Sequence, residues 1–465
     1  MKKLLYTLLA VSIIFSACEK EEEEPTNTGN NNTENNNDPC TYINYPDSGI
    51  TFIVDANFEQ ALIDLGYDNY LNGSVYTSMI DTVTNLDIAF EGISDLTGIE
   101  NFTALTTLRC NSNQLASICL NRNTALTNLE CDNNQLTSLD VSNNLALTQL
   151  YCYDNQLTSL DVSNNTALTQ LYCNSNQLTS LDVSGATALT VLNCNSNQLT
   201  SLDVSGATAL TNLVCQYNQL TSLDVSGATA LTHLYCSYNF QLTSLDVSGA
   251  TALTVLDCEY NQNTSLDVSG ATALTQLKCY NNQLTSLDVS NNLALSTLRC
   301  NSNQLTSLDV SGATALTVLN CNSNQLTSLD VSGATALTNL YCFENQLTSL
   351  DVSGATALTV LNCNSNQLTS LDVSGATALT NLACFENQLT SLDVSGATAL
   401  TDLYCYDNQL TSLDLRNGNN NNFLFFDWRN NPNLYCINVD DFQYSYNNWF
   451  DIDAQMYFSE DCNAK

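Results

Sequence analysis

The sequence predicts a solenoid, mainly parallel β with short turns, in which about seventeen rungs stack behind one N-terminal capping helix. Three observations predict it. The 21-residue unit LTVLNCNSNQLTSLDVSGATA stands without change at Leu189 to Ala209, Leu316 to Ala336 and Leu358 to Ala378. Its period is marked by 15 cysteines from Cys110 to Cys405, spaced by 21 residues except for a step of 22 from Cys236 to Cys258. Within the unit, apolar residues fall at positions one, four and six and again at eleven, fourteen and sixteen. Alternation of Leu, polar, Cys and of Leu, Asp, Val is that of a strand with one buried face, so each rung holds two strand-like segments. A unit this short cannot bury its apolar stripe alone, and each rung must close the core of the next.

Composition narrows the function. The 465 residues carry 10 Lys and Arg against 47 Asp and Glu, a net charge of −37, which argues against nucleic acid as a partner. A single histidine leaves little room for a His-based triad, a His metal cage or a His switch. At the N-terminus Lys2 and Lys3 precede an apolar run from Leu4 to Phe15 that closes on Ser16-Ala17-Cys18. That run is shorter than the roughly 20 residues a membrane helix needs and reads as a secretory signal. It resembles a bacterial lipoprotein signal peptide over residues 1–17, with Phe15 where Leu is usual, and the resemblance implies lipidation of Cys18. Residues 18–39, an acidic run followed by an Asn/Thr-rich stretch, have almost nothing apolar to bury and read as a disordered tether. The acidic patch after Cys18 resembles the surface-export signal of Bacteroidetes lipoproteins. It implies a protein on the outer membrane, facing outward, whose contact with the membrane is the lipid anchor alone.

Residues 40–104 are expected to form an N-terminal cap and a first rung. Asp55 can cap a helix from Ala56, with Phe58, Ala61, Leu62 and Leu65 on one face and Gly66 as the stop. Val83, Leu86, Ile88, Ile93, Leu96, Ile99 and Phe102 then fit a 22-residue rung without cysteine. The array proper spans 105–417. Its motif L-x-x-L-x-C-x-x-N-x-L resembles a leucine-rich repeat of the 21-residue bacterial kind, with a nested half-period. The resemblance implies that the Asn at position nine, from Asn113 to Asn408, lies inside the turn and serves the backbone of neighbouring coils. At the insertion of Phe240, followed by Asn263 where Leu is expected, the array should kink or weaken. Residues 418–465 read as an aromatic last rung, with Phe423, Phe426, Trp428 and Asn431 in the Leu, Leu, Cys and Asn slots, and a terminal cap. That cap resembles the one on such bacterial repeats, which implies a Cys436 to Cys462 disulfide.

The 15 periodic cysteines point into the core at equivalent positions. In-register stacking sets their Cβ atoms about 4.8 Å apart, too far for a disulfide, so they should stay thiols. None has the close sequence neighbour that a zinc or cluster site needs, so neither metal nor cofactor is expected. Cys40 and Cys119 are left over, and a clasp between them over the N-terminal cap stays open. Position fifteen is Asp in 14 units from Asp140 to Asp414. Neighbours about 4.8 Å apart repel by roughly 0.9 kcal/mol even in water, so this outward column should titrate high or hold diffuse cations such as calcium. It offers no single base or nucleophile, and an enzyme is not expected.

The units differ mainly at positions three, five, seven and eight, read as projecting from the first strand. There lie Tyr151, Tyr153, Tyr172, Tyr217, His233, Tyr235, Tyr238, Tyr260, Tyr280, Tyr341, Phe343, Phe385, Tyr404 and Tyr406. Tyr beside Asn, Ser and Asp gives rigid contact area with adaptable hydrogen bonds, which suits protein surfaces and also sugar rings. The expected function is therefore cell-surface adhesion or ligand recognition, with protein or polysaccharide as partner. The alternative is a structural envelope spacer of some 80 Å without a specific ligand.

Overall fold

The computed structural model describes residues 49–463. Cys18, Cys40, the signal segment and the tether lie outside them. The described chain opens with an antiparallel pair, β1 (Ile50–Phe52) and β2 (Ser74–Tyr76), which brackets helix α1 (Ala56–Asp64). Asp55 caps the helix as its spacing requires, one carboxylate oxygen accepting from the amides of Asn57 and Phe58 at 2.8 and 3.1 Å. Its other oxygen accepts from the amide and hydroxyl of Ser94 at 2.8 and 2.7 Å, which ties the helix start to the first rung. Phe58, Ala61 and Leu62 are buried, but Leu65 is the C-cap and stands 45% exposed, because the helix ends at Asp64. Glu59, buried on the same helix, accepts from the amides of Asn72, Gly73 and Ser74 at 2.7 to 3.1 Å. A single turn, α2 (Thr77–Ile80), follows and buries Ile80. Four residues are too few to leave a period in the sequence.

From β3 (Asn85–Asp87) to the strand Phe425–Asp427, seventeen strands form one parallel sheet in sequence order. β3 pairs with Thr107–Arg109 and Phe425–Asp427 pairs with Asp402–Tyr404, each on one side only, so the sheet is open at both ends. Register is fixed rung on rung, Leu192 opposite Leu213 and Leu213 opposite Leu234. The 15 periodic cysteines are fully buried free thiols. Burial pushes those of Cys194, Cys300 and Cys363 up to about 12. The position-nine asparagines do what a buried amide at a turn must. Asn197 donates to the carbonyls of Cys173 and Cys194 at 3.0 and 3.1 Å, while its oxygen accepts from the amide of Leu178 at 3.0 Å. Both halves of each side chain thus satisfy backbone that no strand reaches.

The second segment of each rung is shorter. It pairs as two- or three-residue strands, such as Leu160–Asp161 with Leu181–Asp182, or as single bridges between successive Asp residues. The turn after it closes tightly: at Gly185 a Cβ would lie 1.8 Å from the carbonyl oxygen of Ser163 one rung earlier. Around Phe240 the strand register runs through unbroken, His233–Tyr235 pairing with Val255–Asp257. The inserted ring stands 60% exposed, so the irregularity is confined to the turn. Asn263 is the costlier fault, since it is 1% exposed and its amide oxygen has no partner.

At the far end Trp428 is fully buried and Asn431 donates to Cys405 and Trp428, so this rung follows the repeat with larger side chains. Strands Cys436–Asn438 and Tyr457–Ser459 add in parallel to the second-segment ladder beyond Asp414. Between them runs α3 (Phe442–Asn448), capped by Asp441, which accepts from the Tyr444 amide at 2.9 Å. Trp449 just past it meets Phe426, Trp428 and Phe458 at ring distances of 5.2 to 5.5 Å. Cys436 and Cys462 are joined by a disulfide. Cys119 is disulfide-bonded as well, and Cys40 lies outside the described residues.

Candidate functional site

In the three-residue strands of the cysteine rungs the middle Leu is buried and the flanking positions three and five are at least partly exposed on the sheet face, except at Asp257 and Ala383, which are buried. Position six turns the Cys inward, and the chain then leaves the strand. Position eight is left-handed in every cysteine rung and in the aromatic one, sixteen residues from Ser112 to Asn430 with φ between 50° and 58°. The candidate aromatics therefore occupy three columns and not one strand face. Tyr151, Tyr172, Tyr235, Tyr341 and Tyr404 stand at position five, beside His233 at position three. Tyr153, Tyr280, Phe343, Phe385 and Tyr406 stand at position seven, and Tyr217, Tyr238 and Tyr260 occupy the left-handed slot.

Left-handed backbone suits Asn, Asp and Gly, and a bulky side chain there is an outlier. The three tyrosines that accept it are consecutive and stack in parallel, with centroids 4.5 Å apart for Tyr217 and Tyr238 and 4.6 Å for Tyr238 and Tyr260. Tyr280 meets Tyr260 edge-on at 5.5 Å, and Phe240 meets Tyr238 edge-on at 6.1 Å. Burial, and then the hydrogen bond of its hydroxyl to Glu259, push the Tyr280 phenol well above its usual range. Two smaller groups lie to either side. Tyr151 stacks on Tyr172 at 4.9 Å and donates to Gln170 at 2.9 Å, and Phe385 stacks on Tyr406 at 4.4 Å. Tyr153, whose hydroxyl meets Asp132, is pushed up to about 12, chiefly by burial. The rungs of Cys194, Cys321 and Cys363, with Val, Asn, Asn and Ser in the same slots, separate these groups.

Charge is unevenly spread over the same face. Before Tyr217 it carries Asp87, Glu130, Asp132 and Asp154 against Arg109, which is paired with Glu130 at 3.1 Å. After Arg299 it carries Glu344, Glu386, Asp402, Asp407 and Asp427 against Arg429, which is paired with Asp427 at 2.7 Å. Between lie Asp257, Glu259, Lys278 and Arg299. Lys278 pairs with Asp257 at 3.3 Å, whereas Arg299 is exposed and has no carboxylate at ion-pair distance among the described residues. Phe240 and Arg299 were not among the sequence candidates. Each left a signal there, Phe240 as the one inserted residue and Arg299 as one of only 10 basic residues.

The Asp column departs from expectation. Its carboxylates point outward, but each accepts from the amide two residues on, that of a Ser for all but Asp414, as Asp288 does from Ser290 at 2.9 Å and Asp414 from Arg416 at 3.1 Å. The Ser hydroxyl and amide hold Asp288 and Asp330 below the usual carboxylate range, so the mutual repulsion that was to raise them is outweighed. No group of three His, Cys, Asp or Glu residues among the described residues could hold a metal ion.

No protein-family profile matches the sequence, and no curated protein matches it. Among solved structures the chain is similar to the functional domain of InlJ from Listeria monocytogenes, which includes a cysteine ladder. The identity is 34% over 87% of this chain and 80% of that one, with a TM-score of 0.59. A leucine-rich-repeat protein of Leptospira interrogans is similar at 24% identity, over 72% of this chain and 92% of that one, with a TM-score of 0.59. The plant peptide hormone receptor RGFR1, solved in complex with RGF2, is similar at 18% identity, over 74% and 68%, with a TM-score of 0.52. These last two likenesses concern the fold alone.

Proposed function

The chain belongs to the leucine-rich-repeat proteins that carry a cysteine ladder, and from that premise we propose that it is a surface-anchored recognition protein whose strand face and adjoining turns bind a protein ligand. The observation that carries this reading is the tyrosine stack at Tyr217, Tyr238 and Tyr260. Three bulky residues accept a backbone conformation that Asn or Gly would adopt more readily, and they add nothing to the core. Strain kept outside the core without structural gain is the mark of a functional surface. Protein is favoured over polysaccharide because the ring faces cover one another. A sugar stacks on an open ring face, and within the stack that leaves Tyr217, 52% exposed, as the main platform.

The anchor in this reading is a lipid on Cys18, with the acidic tether holding the solenoid outside the outer membrane. Metabolic labelling with a palmitate analogue tests it, and Cys18→Ser should abolish the label. The binding role is tested by incubating the full chain on an array of surface proteins and glycans, with calcium or with chelator. A variant with Tyr151, Tyr153, Tyr172 and Tyr235 changed to Ala and one with Tyr217, Tyr238 and Tyr260 changed to Asn are run beside it. Loss of signal on protein spots in either variant supports recognition. Equal signals from all three proteins support the spacer reading, which the contact-poor Val, Asn, Asn, Ser rungs favour. Sensitivity to chelator would make the Asp column a binding element for diffuse calcium.

A further inference from the structure

We propose that recognition is concentrated in the five rungs from Tyr217 to Arg299 and that their occupant is a segment of a partner protein presenting a carboxylate beside an apolar side chain. This rests on the reading of the face as a recognition surface and narrows it to one block and one ligand chemistry. Three independent features meet there. The first is irregularity: the one 22-residue step between cysteines and Asn263 in a Leu slot both fall inside this block. The inserted Phe240 is not tucked away but stands 60% exposed with its ring against Tyr238. The second is the left-handed tyrosine column, whose slot is filled in the other cysteine rungs by Ser, Asn, Asp or Glu and in the first rung by Phe90. Each such Tyr holds a backbone conformation that Asn would adopt with less strain. The third is charge.

On either side of the block, carboxylates outnumber guanidinium groups on this face by at least four to one. Inside it the count is even, and the two cations differ. Lys278 is committed to Asp257 at 3.3 Å, while Arg299, opposite it in the parallel register, is exposed, has no carboxylate at ion-pair distance among the described residues and feels Glu259 at longer range. In a chain of net charge −37, an exposed guanidinium one rung from Tyr280 draws an incoming carboxylate that the acidic rungs on either side repel. Its planar fork accepts a carboxylate bidentately. Tyr280, one rung before Arg299, and beyond it the tyrosine stack with Phe240 supply the apolar ground, with phenol hydroxyls for backbone groups of the ligand. The acidic rungs before and after the block tolerate basic flanks on the same segment and reject acidic ones.

The test pans a random peptide display library against the purified full chain and measures individual selected peptides on variants whose thermal midpoints confirm folding. Selected peptides should carry Asp or Glu next to Phe, Tyr or Leu. Arg299→Ala and Tyr238→Asn should each weaken them about tenfold or more, with Arg299→Lys intermediate, while Tyr404→Asn should change binding by no more than about twofold. Added salt should weaken binding to the parent chain more than to Arg299→Ala. Peptides that ignore Arg299→Ala but are lost in Tyr404→Asn would overturn the assignment to this block while leaving the recognition face intact. Peptides rich in Lys and Arg would overturn the carboxylate chemistry. Enrichment insensitive to every strand-face variant would overturn both the inference and the reading beneath it.

Discussion

Two asparagines two rungs apart show how position decides what a residue does. Asn218 sits in the ladder, donating to the carbonyls of Cys194 and Cys215 at 3.0 and 3.2 Å and accepting from the amide of Leu199 at 3.0 Å. Asn218→Leu strands those groups, each costing about 1–3 kcal/mol when buried and unpaired, and should lower the denaturant midpoint sharply. Asn263 occupies a Leu slot with its oxygen unpartnered, so Asn263→Leu should raise stability by roughly 1–3 kcal/mol in the same measurement. The cysteines add a pH dependence of known sign. A thiol whose pKa rises on folding stabilises fully below its unfolded value and loses that contribution as pH climbs to the folded one. Stability should therefore hold up to about pH 9.0 and fall toward about 12. Thermal midpoints across that range check it, and the ladder thiols should resist alkylation until the chain unfolds.

At the scale of the element, what the sequence made legible was whatever repeats or obeys a local rule. The 21-residue period, the buried Asn and the Asp55 cap could all be read from spacing because the same backbone need recurs at the same offset. Asp55→Ala removes four hydrogen bonds and should cost about 1–2 kcal/mol by chemical denaturation. The left-handed position eight was not legible, because Ser, Tyr and Glu occupy it as well as Asn and Asp, and no composition marks it. The aromatic columns were therefore read as one strand face, when positions seven and eight, just past the strand, form a second surface. Nor was the low titration of carboxylates such as Asp288 and Asp330 legible, although the Ser that causes it stands two residues on. Coulomb repulsion is apparent from stacking alone, while the competing amide bond needs the turn geometry. Tyr238→Asn should leave the thermal midpoint unchanged or higher while weakening ligand binding, a separation of stability from function that a merely structural tyrosine would not give.

For the whole molecule, each rung touches only its neighbours, so stability is close to a sum of rung and interface terms. The weakest interfaces then set where opening begins. Among the described residues, no strand or bridge pairing of the second segment joins Asp267 to Asp246 or to Asp288, and Asn263 lies between them. Hydrogen exchange should therefore be fastest, within the array, over residues 240–267. This stretch carries Phe240 and Tyr260, which flank Tyr238 in the aromatic cluster, so ligand binding there should slow it.

The claim at the centre is that one face reads a protein ligand and the others do not. It is tested most directly by blocking one face at a time in the full chain. Val214→Cys places a reactive thiol on the strand Asn212–Val214, and Thr229→Cys places one on the exposed turn behind it, while the ladder thiols stay buried. Each variant is coupled to a bulky maleimide and compared with its uncoupled form on the surface-protein array. The adduct at 214 should abolish binding and the adduct at 229 should leave it intact. Equal binding from both coupled proteins would contradict the account.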